Sequence, residues 1–127
     1  MINLVFNKRK LASLLLIAFV SVAAHAQQSP GSTTTVTGEV LDMACYMKSG
    51  AHGDGHKDCA AMCINGGSPM GILTSDNKVY LLVANHDKAA AYDEAKKHPG
   101  GQVTVTGTIS EKNGVSAIIA DDVKAKM

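Results

Sequence analysis

Two stretches of the sequence open in nearly the same way. Thr35-Val36-Thr37-Gly38-Glu39-Val40-Leu41 and Thr104-Val105-Thr106-Gly107-Thr108-Ile109 alternate polar and apolar residues with a period of two, and each carries a glycine after its second threonine. Side chains on a strand point alternately to opposite faces, so each stretch reads as a strand with one buried face. A glycine inside a strand suits a bulge or sharp bend, the device with which a small closed barrel turns its corners. A chain with this pattern early and late in its folded part is constrained to a mainly β fold.

The segments between and after these strands supply the remaining elements. Gly71-Ile72-Leu73-Thr74, a polar Ser75-Asp76-Asn77 turn and Lys78-Val79-Tyr80-Leu81-Leu82-Val83 read as a hairpin. A helix follows, with Asn85 or Asp87 as cap, Ala89-Ala90-Ala91 and Ala95-Lys96-Lys97 favouring it, and Pro99-Gly100-Gly101 ending it. Asn113-Gly114 is a tight-turn signal that makes Val115 to Ala120 the returning strand of a second hairpin. The element order is strand, cysteine-bearing insert, strand, strand, helix, strand, strand. On that order and the glycine placement, Thr35 to Lys124 resembles the OB-fold, a five-stranded Greek-key barrel with its helix between the third and fourth strands. It is similar to small periplasmic OB-fold-like bacterial proteins. The resemblance implies a mainly β domain with one or two short helices and assigns no chemistry.

The start of the chain has a different character. Lys8, Arg9 and Lys10 precede an apolar run from Leu11 to Ala24, and Ala24-His25-Ala26 offers small residues at the positions a signal peptidase accepts. The run is shorter than the roughly 20 residues a membrane span requires. We therefore expect residues 1–26 to be a cleaved signal peptide, 27–34 a polar flexible leader, and 35–127 one OB-like domain with a cysteine-bearing insert at 43–70. The expected location is periplasmic or secreted, with no stable membrane insertion after cleavage. Of the twelve Lys and Arg residues three lie in the expected signal peptide, whereas all eleven acids follow it, so the mature part is slightly acidic. It retains no arginine, and its aromatic residues are Tyr46, Tyr80 and Tyr92. A nucleic-acid binder needs a basic face and stacking platforms, so that class is excluded.

The chemistry is concentrated in the insert. All three cysteines lie there (Cys45, Cys59 and Cys63), with His52, His56, Met43, Met47, Met62 and Met70. In strand geometry Met43, Cys45 and Met47 would share one side. From His56 the pattern turns helical and ends at Asn65-Gly66, which places His56, Cys59 and Cys63 at i, i+3 and i+7 on one face. Extending that helix backwards would add His52, against the cost of Gly53 and Gly55.

Three readings follow. Cys59, Cys63 and His56, with Cys45 as fourth ligand and His52 or Met47 as further candidates, form a soft donor set for a metal ion, copper before zinc. Alternatively, an exported domain oxidises two thiols to a disulfide, Cys45 with Cys63 or Cys59, because neighbours one helical turn apart are poorly placed to bridge. The protein is then a non-catalytic stapled binding module of the cell envelope, its partner an envelope protein. The third reading is a thiol redox protein with Cys59 as nucleophile. No serine lies in a nucleophile motif and no phosphate loop occurs, so nothing points to a hydrolytic enzyme. His86, His98 and the Asp121-Asp122 pair read as surface residues.

Overall fold

The structure is a computed structural model and describes residues 31–127. The expected signal peptide, 1–26, and the first part of the leader, 27–30, lie outside the described residues. Five strands are present among the described residues: β1 (Thr33–Asp42), β2 (Met70–Leu73), β3 (Val79–Ala84), β4 (Gln102–Lys112) and β5 (Val115–Ala125). They hydrogen-bond in the order β1-β2-β3-β5-β4, and β1 pairs with β4 as well as β2, so the sheet returns on itself. All pairings are antiparallel except β3 with β5, which run parallel.

The early strand is shared between two neighbours. Thr33 to Glu39 pair with β4, and Glu39 to Asp42 pair with β2. Gly38 stands where β1 passes from one to the other, and a Cβ there would lie 2.3 Å from the Leu73 carbonyl oxygen. Gly107 has the same role opposite β5, with 2.1 Å to the Ile119 carbonyl oxygen. The register slips at this point: Thr106 faces Asp122 but Gly107 faces Ala120, leaving Asp121 as a bulged residue. Asp121 is therefore not the solvated acid expected from sequence. Its carboxylate accepts hydrogen bonds from Asn85 Nδ2 at 2.7 Å and Lys88 Nζ at 3.2 Å, and ties β5 to the segment after β3.

The hairpin between β4 and β5 turns through Asn113 and Gly114, both at positive φ (51° and 83°), the geometry an Asn-Gly pair adopts at least cost. Inward-facing Val36, Val40, Ile72, Val103, Val105 and Ile118 fill the interior. Each such side chain contributes roughly 1.5–3 kcal/mol by burial.

Among the described residues three short α-helices are present, where one or two were expected: α1 (Met43–Ser49), α2 (Lys57–Asn65) and α3 (Ala89–Ala95). Helix α3 lies between β3 and β4 and buries Ala91 and Ala95 against the sheet. The additional helix is α1, which replaces the strand expected through Met43, Cys45 and Met47. Asp42 caps it, accepting from the backbone N–H of Ala44 at 3.0 Å and Cys45 at 3.4 Å. Gly50, at φ 71°, closes it with its N–H on the Tyr46 carbonyl at 2.7 Å. A proper cap at each end outweighs the two-residue alternation of the side chains.

Candidate metal centre

Helices α1 and α2 lie in the segment that leaves the sheet at Asp42 and re-enters at Met70, a position paired with Asp42 itself. The neck of this segment is tied by a hydrogen bond from Met43 N–H to the Pro69 carbonyl, 3.0 Å, and by one from the Ser68 hydroxyl to Asp42 Oδ1. Inside it the chain turns through Gly53, at φ 82°, whose N–H donates to the Glu39 carboxylate. A single 3-10 turn, Asp54–His56, then leads into α2. His56 is the residue that caps α2 and does not lie on it.

This arrangement brings two groups of donor atoms together among the described residues. The sulfurs of Cys45, Cys59 and Cys63 all lie within 4.8 Å of one another, and so do the donor atoms of Asp42, Cys45 and His56. Three sulfurs bound at about 2.3 Å to one ion are separated by roughly 4 Å, so the first group matches the spacing that a shared ion demands. Cys45 comes from α1 and the other two cysteines from α2; their meeting depends on the two helices being clasped at the neck.

Asp42 is the hub, and sequence reasoning missed it. It is buried, with 1% of its surface exposed. Besides the two N–H groups of α1 and the Ser68 hydroxyl, its carboxylate accepts the thiols of Cys45 and Cys63. Burial alone would raise its pKa, but the donors Ser68, Cys45, Ala44 and Cys63 together outweigh it and hold the carboxyl below the usual range. The thiols respond in the opposite direction. Hydrogen bonding to Asp42, followed by desolvation and the neighbouring Cys63 sulfur, pushes the Cys45 thiol up to about 12. Desolvation and then the hydrogen bond to Asp42 raise that of Cys63. The signal that would have found Asp42 is the placement of an acid directly before Met43-Ala44-Cys45, an N-cap position.

The expected histidine is present, but faces a different group. His56 Nε2 is buried and has no hydrogen-bond partner. It lies 4.0 Å from Asp42 Oδ2, beyond hydrogen-bonding distance. Thus Cys45 joins the Cys59–Cys63 pair, while His56 joins Asp42 and Cys45. The other candidates lie elsewhere. His52 places Nδ1 3.4 Å from Glu39 Oε2 and its ring edge-on to Tyr46. Met47 is 73% exposed; residues two apart on a helix diverge, so it does not share a face with Cys45. Met43 packs its sulfur over Gly71, where a Cβ would meet it at 2.4 Å.

The disulfide considered from sequence, Cys45 with Cys63 or Cys59, is not formed, and all three thiols are free. Asp42 instead engages the thiol protons of Cys45 and Cys63. No protein-family model, curated protein or solved structure matches this chain. Its function must therefore be argued from the site itself.

Proposed function

We propose that this chain is a small exported metal-binding protein, selective for copper before zinc, with the cluster between β1 and β2 as its centre. The observation that carries the reading is the convergence of the Cys45, Cys59 and Cys63 sulfurs. A three-sulfur set is soft and suits Cu(I) first and Zn(II) next. The buried, unbonded nitrogen of His56 supports it, because a polar atom withdrawn from water without a partner costs free energy that an ion can recover. In the same proposal the domain is an OB-like Greek-key barrel. Its strand order, the parallel β3–β5 pairing and α3 between β3 and β4 support that reading. Export to the periplasm or beyond rests on the basic and apolar opening of the sequence. No helix among the described residues is long and apolar enough to cross a membrane.

A second reading, the disulfide-stapled binding module of the envelope, is favoured by one observation: the Cys45 and Cys63 sulfurs lie within 4.8 Å of each other, so an oxidant would find these two side by side. The redox reading gains nothing from Cys45 and Cys63, because thiols with raised pKa values supply little thiolate at neutral pH.

Thiol alkylation and metal analysis of the exported protein separate the two readings. The metal-binding protein yields one equivalent or more of Cu(I) or Zn(II), and its thiols alkylate only after a chelator removes it. Cys59→Ser then abolishes or strongly weakens binding. One stable bridge, a single alkylatable thiol and no bound metal would overturn the proposal in favour of the stapled module.

A further inference from the structure

The cluster contains more donors than one ion uses, and their layout is specific. Of the two converging groups, one supplies three sulfurs and the other an oxygen, a sulfur and a nitrogen. They share Cys45 alone. We propose that the centre is dinuclear, with the Cys45 sulfur bridging one ion held by Cys59 and Cys63 and a second held by Asp42 and His56. This rests on the metal-binding reading above and adds a second position to it.

Three observations carry it. His56 Nε2 is buried without a partner, although an acceptor, Asp42 Oδ2, stands 4.0 Å away. That gap is too long for a hydrogen bond. It lies within the range, from about 3.3 Å at a tetrahedral angle to about 4.2 Å in line, that two donor atoms span when each is about 2.0–2.1 Å from one ion. The second observation is the burial of Asp42, 1% exposed, with one of its oxygens, the Cys45 sulfur and a His56 ring nitrogen all within 4.8 Å of one another. The third is charge. Three thiolates and one carboxylate carry four negative charges, which one Cu(I) or Zn(II) leaves largely uncompensated in a partly desolvated site. A second cation between Asp42, Cys45 and His56 restores the balance and gives the imidazole its partner. Its oxygen, nitrogen and sulfur donors suit a borderline divalent ion, Zn(II) in particular.

Native mass spectrometry of the reduced protein titrated with Zn(II) tests the proposal. Two ions per chain are expected for the unaltered protein and one for His56→Ala, with far-UV circular dichroism showing that the variant keeps its fold. With Co(II) as probe, a shared thiolate couples the two ions magnetically, so the doubly loaded protein gives less than twice the electron paramagnetic resonance signal of the singly loaded one. Saturation of the unaltered protein at one ion overturns the dinuclear centre and leaves the single-ion reading standing. So does a second ion that His56→Ala fails to remove or that leaves the Co(II) signal simply doubled. Absence of binding to Zn(II) and, in a parallel titration, to Cu(I) overturns both readings, and the unaltered protein alone is sufficient to show it.

Discussion

The thiol of Cys45 donates to the carboxylate of Asp42, the same carboxylate that caps the helix on which Cys45 stands. One acid thus shapes the backbone of α1 and holds the proton of a residue two positions into it. Replacing it should separate these roles. Asp42→Asn keeps a capping oxygen but removes the negative charge, so the Cys45 thiol should fall from about 12 toward the ordinary value near 8.5. Thiolate absorbance followed against pH measures this. Asp42→Ala also removes the cap and orphans the Ser68 hydroxyl, and should cost the metal-free protein about 2 kcal/mol or more in urea unfolding.

The metal-free protein should lose stability on both sides of a neutral plateau. The Asp42 carboxyl is depressed in the folded state, so its contribution is present above the unfolded value of about 3.9 and is lost as pH falls through the lower folded value. Cys45 is raised, so its contribution is complete below about 8.5 and is lost as pH rises toward about 12. Urea midpoints across the acid and alkaline range should trace a dome, and Cys45→Ala should flatten its alkaline side. A midpoint still climbing above about pH 9 would contradict the sign of the thiol shifts.

Metal affinity should rise steeply through neutral pH. Cys45 and Cys63 are held protonated and must each release a proton to bind an ion. Apparent Zn(II) affinity should therefore increase about tenfold per pH unit for each proton released. Competition with a chromophoric chelator at several pH values, corrected for the chelator's own titration, measures the slope. In the Asp42→Asn variant the slope should flatten above about pH 8.5, where its Cys45 thiol is already ionised.

Two glycine substitutions that look alike in sequence should differ in outcome. Gly107→Ala drives a methyl into the Ile119 carbonyl, a backbone atom that cannot turn aside, and should cost about 2–3 kcal/mol. Gly71→Ala meets the sulfur end of Met43, a flexible side chain that can rotate away, and should cost less than about 1.5 kcal/mol. Thermal unfolding of the two variants side by side checks the order.

The strands were legible because period-two alternation and the Asn113-Gly114 turn are local signals that the tertiary structure respects. The bulge at Gly107 was legible in kind, but its partner, Asp121, depends on register across β4 and β5 and is not written in either strand alone. Helix α1 was misread because Met43, Cys45 and Met47 alternate as a strand would; the caps Asp42 and Gly50 decide the matter, and neither stands out beside four methionines. The cysteines were identifiable as a cluster, and the reach of Cys45 to the Cys59–Cys63 pair follows from the neck contacts among Asp42, Met43, Ser68 and Pro69. His56 was assigned to the helical face of the cysteines, whereas Gly53 and the 3-10 turn swing it toward Asp42.

Because the cysteine segment departs and returns at the paired positions Asp42 and Met70, four of the five donors lie on one excursion of the chain and the fifth, Asp42, stands at its root. The surrounding strands supply Asp42 from the end of β1, and Glu39 of the same strand, which accepts from the Gly53 N–H. Such a module is portable: grafted between two adjacent antiparallel strands of another sheet, with its acid kept at the threshold, it would carry its whole ligand set with it.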